Sequence, residues 1–259
     1  MNKNKFPILF VGAGPGDPEL ITVKGQRALM EADLVIYAGS LVPVKMLDWV
    51  RDDADIVNSA SMNLPEIVEK MADGWKAEKK VVRLHTGDPS LYGAIFEQMI
   101  RLDKLSISYK VIPGVTAAFA AAASMGVEFT LPEITQTLIL TRMAGRTPVP
   151  ETENLELLAK HRSAMAIYLS ISLINKVEKI LCDCYGKEQL CAVAYRVGWP
   201  DEKIIYSPVC KLAETVKNAK IVRQAVVIVG KSLDICKEKK FFEHESKLYD
   251  VKFSHGFRK

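Results

Sequence analysis

Three short segments carry glycines, prolines and acids in the pattern from which a ligand site can be built. They are Gly12 to Pro18 (GAGPGDP), His85 to Gly93 (HTGDPSLYG) and Pro113 to Ala117 (PGVTA), and each runs directly out of a short apolar stretch. Glycine allows backbone to approach a ligand closely and to turn where other residues cannot. The first segment nearly matches a dinucleotide fingerprint, and one residue decides against it. G-x-G-x-x-G needs glycine at position 17, where Asp17 stands, and Pro15 and Pro18 stiffen the turn. A carboxylate at that helix start would repel a pyrophosphate. No acid ends the second apolar run to hold a ribose, because Tyr37 is followed by Ala38 and Gly39, and a Walker lysine in a G-K-[S/T] triplet is expected to be missing. NAD and ATP chemistry are therefore disfavoured. A ligand of adenosine-like polarity with little negative charge remains, and a cationic sulfonium cofactor, S-adenosylmethionine, suits Asp17 and Asp88. Taken singly, each loop also has a plainer reading, with Asp17-Pro18 and Asp88-Pro89 as N-cap and first helical residue. Three such loops together argue a site.

The elements that position these loops follow from the apolar pattern. Candidate strands Ile8 to Val11, Leu34 to Tyr37, Asp55 to Val57, Val81 to His85 and Ser108 to Ile112 alternate with candidate helices near 20–31, 64–77, 90–103 and 115–125. Such alternation predicts a mostly parallel sheet covered on both faces, and ligands bind such sheets at the carboxyl ends of the strands. After Pro132 the pattern changes. Strands Thr137 to Arg142, Ala164 to Ser170, Leu190 to Val197, Lys203 to Tyr206 and Ala225 to Val229, with helices near 151–160, 173–184 and 209–219, predict a second α/β region containing at least one antiparallel pair. The expected domains are 1–131 and 132–231, with 232–259 as a charged tail without regular structure.

Composition narrows the class further. The chain has 259 residues, 49% hydrophobic and 25% charged, with a net charge of +4. That excludes disordered, collagen-like and coiled-coil proteins. Residues 1–131 hold 14 Lys+Arg against 16 Asp+Glu, whereas 132–259 hold 21 against 15, so the positive excess belongs to the second half. Five cysteines without a C-x-x-C pair and four scattered histidines predict reduced thiols and no metal site. No apolar run reaches the ~20 residues of a membrane helix. A soluble, cytoplasmic protein is expected.

The glycine-bearing segments also resemble a known family. Residues 12–25 (GAGPGDPELITVKG) followed by 32–37 (ADLVIY), together with 82–89 (VRLHTGDP) and 111–117 (VIPGVTA), are similar to the three signatures of the tetrapyrrole (corrin/porphyrin) methyltransferases. Within that family, 37–41 (YAGSL), 85–94 (HTGDPSLYGA), 131–136 (LPEITQ), 141–150 (TRMAGRTPVP), 246–250 (SKLYD) and 253–258 (FSHGFR) resemble the precorrin-4 C-11 branch. Uroporphyrinogen-III methyltransferases usually carry Asp where this chain has Ala38 and Lys near Ser61, so a later corrin intermediate is implied. The resemblance implies a homodimer of two-domain α/β subunits with S-adenosyl-L-methionine in the cleft between domains. It carries cofactor contacts to Pro15, Thr86, Gly87, Asp88, Leu91, Thr116 and Ala117, and in the second domain to Leu169 and Ala225. Val197 stands where relatives often have a small residue.

The implied reaction is methylation at C-11 of precorrin-4 or its cobalt form, with the macrocycle beside the loop Arg142 to Pro150. Arg142 and Arg146 are the candidate partners of the substrate's carboxylate arms, and Tyr92 is a candidate macrocycle contact. No catalytic residue is assigned, because attack by an electron-rich pyrrolic carbon needs no strong base. His85 reads as a satisfied structural group in preference to a proton carrier, Cys182 and Cys184 as packing residues, and Lys237, Lys239 and Lys240 as a solvated run. The rival readings are another regiospecific precorrin methyltransferase, an RNA 2′-O-methyltransferase and a non-catalytic nucleotide-binding module. The absence of a basic-aromatic stripe weighs against nucleic acid.

Overall fold

The structure, a computed structural model, describes residues 6–238, 252–254 and 256. It divides into two compact units, one holding the chain up to Ala120 together with Arg196–Asp201, the other Ala121–Tyr195 and the chain from Glu202 onward.

The first unit is built on five parallel strands in the order β3-β2-β4-β1-β5: β1 Ile8–Gly12, β2 Leu34–Tyr37, β3 Asp55–Asn58, β4 Val81–His85 and β5 Tyr109–Ile112. The central strands are short apolar runs because both of their faces are covered. On one face Phe10, Ile36 and Val81 pack with α2 (Leu64–Lys76) and α3 (Ile95–Lys104). On the other, Val11, Val35 and Leu84 pack with Leu29 of α1 (Val23–Met30). The chain thus leaves the adjacent strands β1 and β4 toward opposite faces, and a crevice opens at their carboxyl ends. The helix α4 (Ala117–Met125) follows the loop after β5.

Helix starts differ from the sequence expectation where turns intervene. The region expected as one helix from residue 20 is a 3-10 turn, Pro18–Leu20, followed by α1, whose N-cap Thr22 accepts from the Gly25 N–H at 3.1 Å. α3 begins at Ile95, because Tyr92 and Ala94 both lie in the left-handed region (φ 57° and 49°). Between them a Cβ on Gly93 would lie 2.9 Å from the Pro89 carbonyl carbon.

The second unit holds a mixed sheet in the order β6-β7-β10-β8-β9: β6 Leu138–Arg142, β7 Ala164–Tyr168, β8 Leu190–Tyr195, β9 Lys203–Pro208 and β10 Ala225–Val229. β6 and β7 are parallel, and every other pair, including the expected β8–β9, is antiparallel. Its core joins Met165, Ile167, Val193 and Val227 to α5 (Leu155–Ala159), α6 (Ile174–Tyr185) and α7 (Leu212–Asn218). Cys184 is buried in it and Cys182 packs against it.

The tail expected to lack structure instead begins with a helix, α8 (Lys231–Glu238). Buried Leu233 and the Asp234 carboxylate, which accepts from Gln189 Nε2 at 2.5 Å and Leu190 N at 3.2 Å, hold it against β8. A G-K-S triplet, Gly230-Lys231-Ser232, does occur, against expectation; it opens this helix straight from the strand, with Ala225 where a phosphate loop needs glycine. Lys239, Lys240, His244, His255, the 246–250 segment, Phe257 and Arg258 lie outside the described residues. Among the described residues no helix is long and apolar enough to cross a membrane.

Candidate functional site

The three glycine-bearing loops meet above β1, β4 and β5. Gly14 and Gly87 exchange both backbone bonds, Gly14 N–H to Gly87 O at 3.2 Å and Gly87 N–H to Gly14 O at 2.7 Å, and the Ala13 N–H donates to His85 O at 2.7 Å. The Asp88 carboxylate adds the third loop. One oxygen caps its own turn by accepting from Ser90 N–H at 2.8 Å, and the other accepts from Gly114 N–H at 2.9 Å. The approach is so close that a Cβ on Gly12 would lie 2.6 Å from Gly87 O and 2.7 Å from the Gly114 Cα. Only glycine permits this junction.

Seven expected cofactor contacts, Pro15, Thr86, Gly87, Asp88, Leu91, Thr116 and Ala117, therefore sit on loops that this unit binds to one another. At Gly87 the junction is open. A Cβ there would meet nothing nearer than the Thr116 Cα at 3.9 Å and the Val115 O at 4.0 Å, so the two loops leave a small cradle between them. Asp17 is the N-cap of the Pro18–Leu20 turn and accepts from Glu19 N–H at 2.9 Å. The N-cap reading thus holds for Asp17, whereas Asp88 closes a turn that opens no helix, α3 starting only at Ile95, and ties two loops. A separate open cavity of ≈ 420 Å³ beside the first loop is lined by Asp17, Pro18, Glu19, Lys45, Asp48 and Trp49. It shares only Asp17 and Pro18 with the glycine loops.

Beneath the junction, β4 buries two basic side chains. Arg83, 5% exposed, donates to Ile36 O at 3.2 Å, Ser59 Oγ at 3.0 Å and Gln98 Oε1 at 3.3 Å. Burial lowers its pKa to about 10, which leaves it charged at neutral pH. His85, also 5% exposed, is pushed down to about 3, first by burial and then by the Arg83 charge. Its ring lies 5.9 Å from that of Phe10, and its Nε2 has no hydrogen-bond partner among the described residues. This corrects the sequence expectation of a satisfied group. His85 is a neutral, incompletely satisfied imidazole, and as such no proton carrier at neutral pH.

The loop between β4 and α3 stores backbone strain. Tyr92 is 43% exposed and left-handed. Non-glycine residues held at positive φ cluster at ligand sites, where surrounding structure over-determines them.

In the second unit, Leu169, Ala225 and Arg142 stand at one end of the sheet. Arg142 pairs with Tyr168 at the carboxyl ends of β6 and β7, Leu169 follows directly, and Ala225 begins the antiparallel β10. Leu169 combines positive φ (52°) with 69% exposure. Arg142 has a structural task as well. Its guanidinium donates from Nη1 and Nη2 to the carbonyls of Met143 at 3.5 Å, Thr147 at 3.2 Å and Pro148 at 2.6 Å, so part of the fork shapes its own loop. Arg146 is exposed on that loop and has no ion pair among the described residues.

Sequence reasoning missed the segment Arg196–Asp201, which belongs to the first unit and packs on the first glycine loop. Its available signal was a Gly-Trp-Pro run between two strands, which marks a turn but names no partner.

The family model of the Tetrapyrrole (Corrin/Porphyrin) Methylases matches residues 7–213. A cobalt-precorrin-4 C(11)-methyltransferase of Methanocaldococcus jannaschii is 52% identical over 257 residues, covering 99% of this chain and 97% of that protein. A Priestia megaterium protein of the same name is 45% identical over 253 residues, covering 97% of each. The X-ray structure of a cobalamin biosynthetic enzyme, cobalt precorrin-4 methyltransferase, matches with a TM-score of 0.86 at 44% identity, covering 88% of this chain and 96% of that one.

Proposed function

The chain belongs to the tetrapyrrole (corrin/porphyrin) methylases, and we propose that it is the S-adenosylmethionine-dependent enzyme that methylates C-11 of cobalt-precorrin-4 in cobalamin biosynthesis. The observation that carries this reading is the 52% identity to a cobalt-precorrin-4 C(11)-methyltransferase along 99% of the chain. The geometry of the first unit agrees with it. The cradle between Gly87 and Thr116 is walled by neutral backbone, and the acid beside it, Asp88, turns its carboxylate to backbone N–H groups. Such a wall accepts a neutral adenosine and a sulfonium more readily than a pyrophosphate.

S-adenosylmethionine, when bound, supplies an activated methyl group. The chain's own residues position and exclude water. Pro15, Thr86, Gly87, Asp88, Leu91, Thr116 and Ala117 form the cofactor side, with Leu169 and Ala225 as contacts from the second unit. Arg142 shapes the loop Met143 to Pro150, and exposed Arg146 on it takes a substrate carboxylate, a task that suits its bidentate fork. Tyr92 stands at the exposed edge of the strained loop as the macrocycle contact. No side chain is assigned as acid or base.

The working form is a cytoplasmic homodimer. Its support is five free cysteines and an exposed apolar pair one helical turn apart on α3, Phe96 and Ile100.

Calorimetry with S-adenosylmethionine, NAD and ATP tests the cofactor assignment. Binding of S-adenosylmethionine alone is expected. Tight NAD binding without S-adenosylmethionine binding would sink the reading.

A further inference from the structure

The strap Arg196–Asp201 joins β8 to β9 in sequence, yet it packs with the first unit, against the first glycine loop. Trp199 Nε1–H donates to the Pro15 carbonyl at 3.1 Å. Gly16 lies flat on the indole, where a Cβ would fall 2.6 Å from Trp199 Nε1 and 2.8 Å from Val197 O. Gly198, at φ +78°, completes the contact from the strap side, and a Cβ there would be 2.7 Å from Asp17 N. The indole is itself held in place. The Arg196 guanidinium stands 4.0 Å from its ring centroid, and Arg196 Nε–H donates to Asp201 Oδ1 at 2.7 Å. Arg196 adopts φ 47° to do so, a strain that only surrounding contacts can hold.

We propose that Trp199 is a positioning residue for S-adenosylmethionine, acting through Pro15 and Gly16, an inference that rests on the reading of the first loop as cofactor-binding. The backbone accounting of that loop explains how. Ala13 N–H is taken by His85 O, both polar groups of Gly14 by Gly87, and Asp17 O by Leu20 N–H; Pro15 has no N–H to offer. Trp199 adds the Pro15 carbonyl to these fixed groups. With that bond made, the loop is ordered before ligand arrives, and binding does not bear the cost of ordering it. The side chains that carry the effect touch the loop and not the ligand, so Trp199 sets affinity for one of the two substrates and leaves the other alone.

Trp199→Phe keeps a ring over Gly16 and under Arg196 and removes only the N–H. Calorimetry with S-adenosylhomocysteine and steady-state kinetics with both substrates read the result. The dissociation constant for S-adenosylhomocysteine and the KM for S-adenosylmethionine are expected to rise about three- to tenfold, the worth of one neutral hydrogen bond, while the tetrapyrrole KM and the melting temperature hold. Gly16→Ala supplies a second arm. Its Cβ collides with the indole, so its loss of affinity should be smaller in a Trp199→Leu background than alone. Unchanged affinity in Trp199→Phe, or an equal rise of both KM values with a lowered melting temperature, overturns the proposal. If the unsubstituted chain itself fails to bind S-adenosylhomocysteine, the cofactor reading falls and the proposal with it.

Discussion

Arg83 and His85 are two residues apart on β4 and so share the face that packs against α2 and α3. Their chemistry diverges because their partners do. Arg83 reaches a β2 carbonyl, the Ser59 hydroxyl and Gln98 of α3, and these neutral acceptors offset its burial. His85 has no such partner for Nε2, and its folded pKa of about 3 lies below the unfolded value of 6.5. The unfolded chain therefore binds the proton more readily at intermediate pH. The stability associated with neutral His85 is fully present above about pH 6.5 and is lost as the pH falls toward 3, at up to about 1.4 kcal/mol per unit. Urea unfolding should show the native chain losing about 2 kcal/mol more than a His85→Met variant between pH 6.5 and 5. Parallel pH dependence in the two proteins would contradict the assignment. The sequence marks His85 only as the last residue of an apolar strand; the missing partner is a property of the packed interior.

At the scale of elements, the site is a junction of three loops, and glycine makes it possible. A Cβ on Gly114 would approach the Gly12 Cα to 2.8 Å and its carbonyl carbon to 3.0 Å, with backbone on both sides and no flexible side chain to yield. Gly114→Ala is expected to destabilise the fold by about 1–3 kcal/mol and to weaken S-adenosylmethionine binding, read by urea unfolding and calorimetry. Stability and affinity both equal to the unsubstituted chain would mean that the loops are not packed as described. The strands were legible in sequence because buried parallel strands are apolar on both faces. Helix starts were not, since Ala94 and Tyr92 adopt left-handed backbone that nothing local in their side chains demands. The strap was invisible for a different reason. Trp199 and Pro15 are 184 residues apart, and no periodicity reports such a contact.

At the scale of the whole molecule, the chain combines two sheets of unlike topology, each with its own core. The parallel sheet presents the neutral and acidic glycine loops, and the mixed sheet presents the loop bearing Arg142 and Arg146. The positive excess read from sequence beyond residue 131 includes Arg142 and Arg146. The arginines looked equivalent until the structure showed Arg142 bound to three carbonyls of its own loop and Arg146 exposed. The carbon that receives the methyl group separates C-11 methylation from every other regiochemistry. Incubation of the protein with cobalt-precorrin-4 and S-adenosylmethionine carrying a 13C-methyl group, followed by NMR of the product, reads that carbon directly. A single labelled methyl at C-11 is the predicted result; a label at any other carbon, or none, would contradict it.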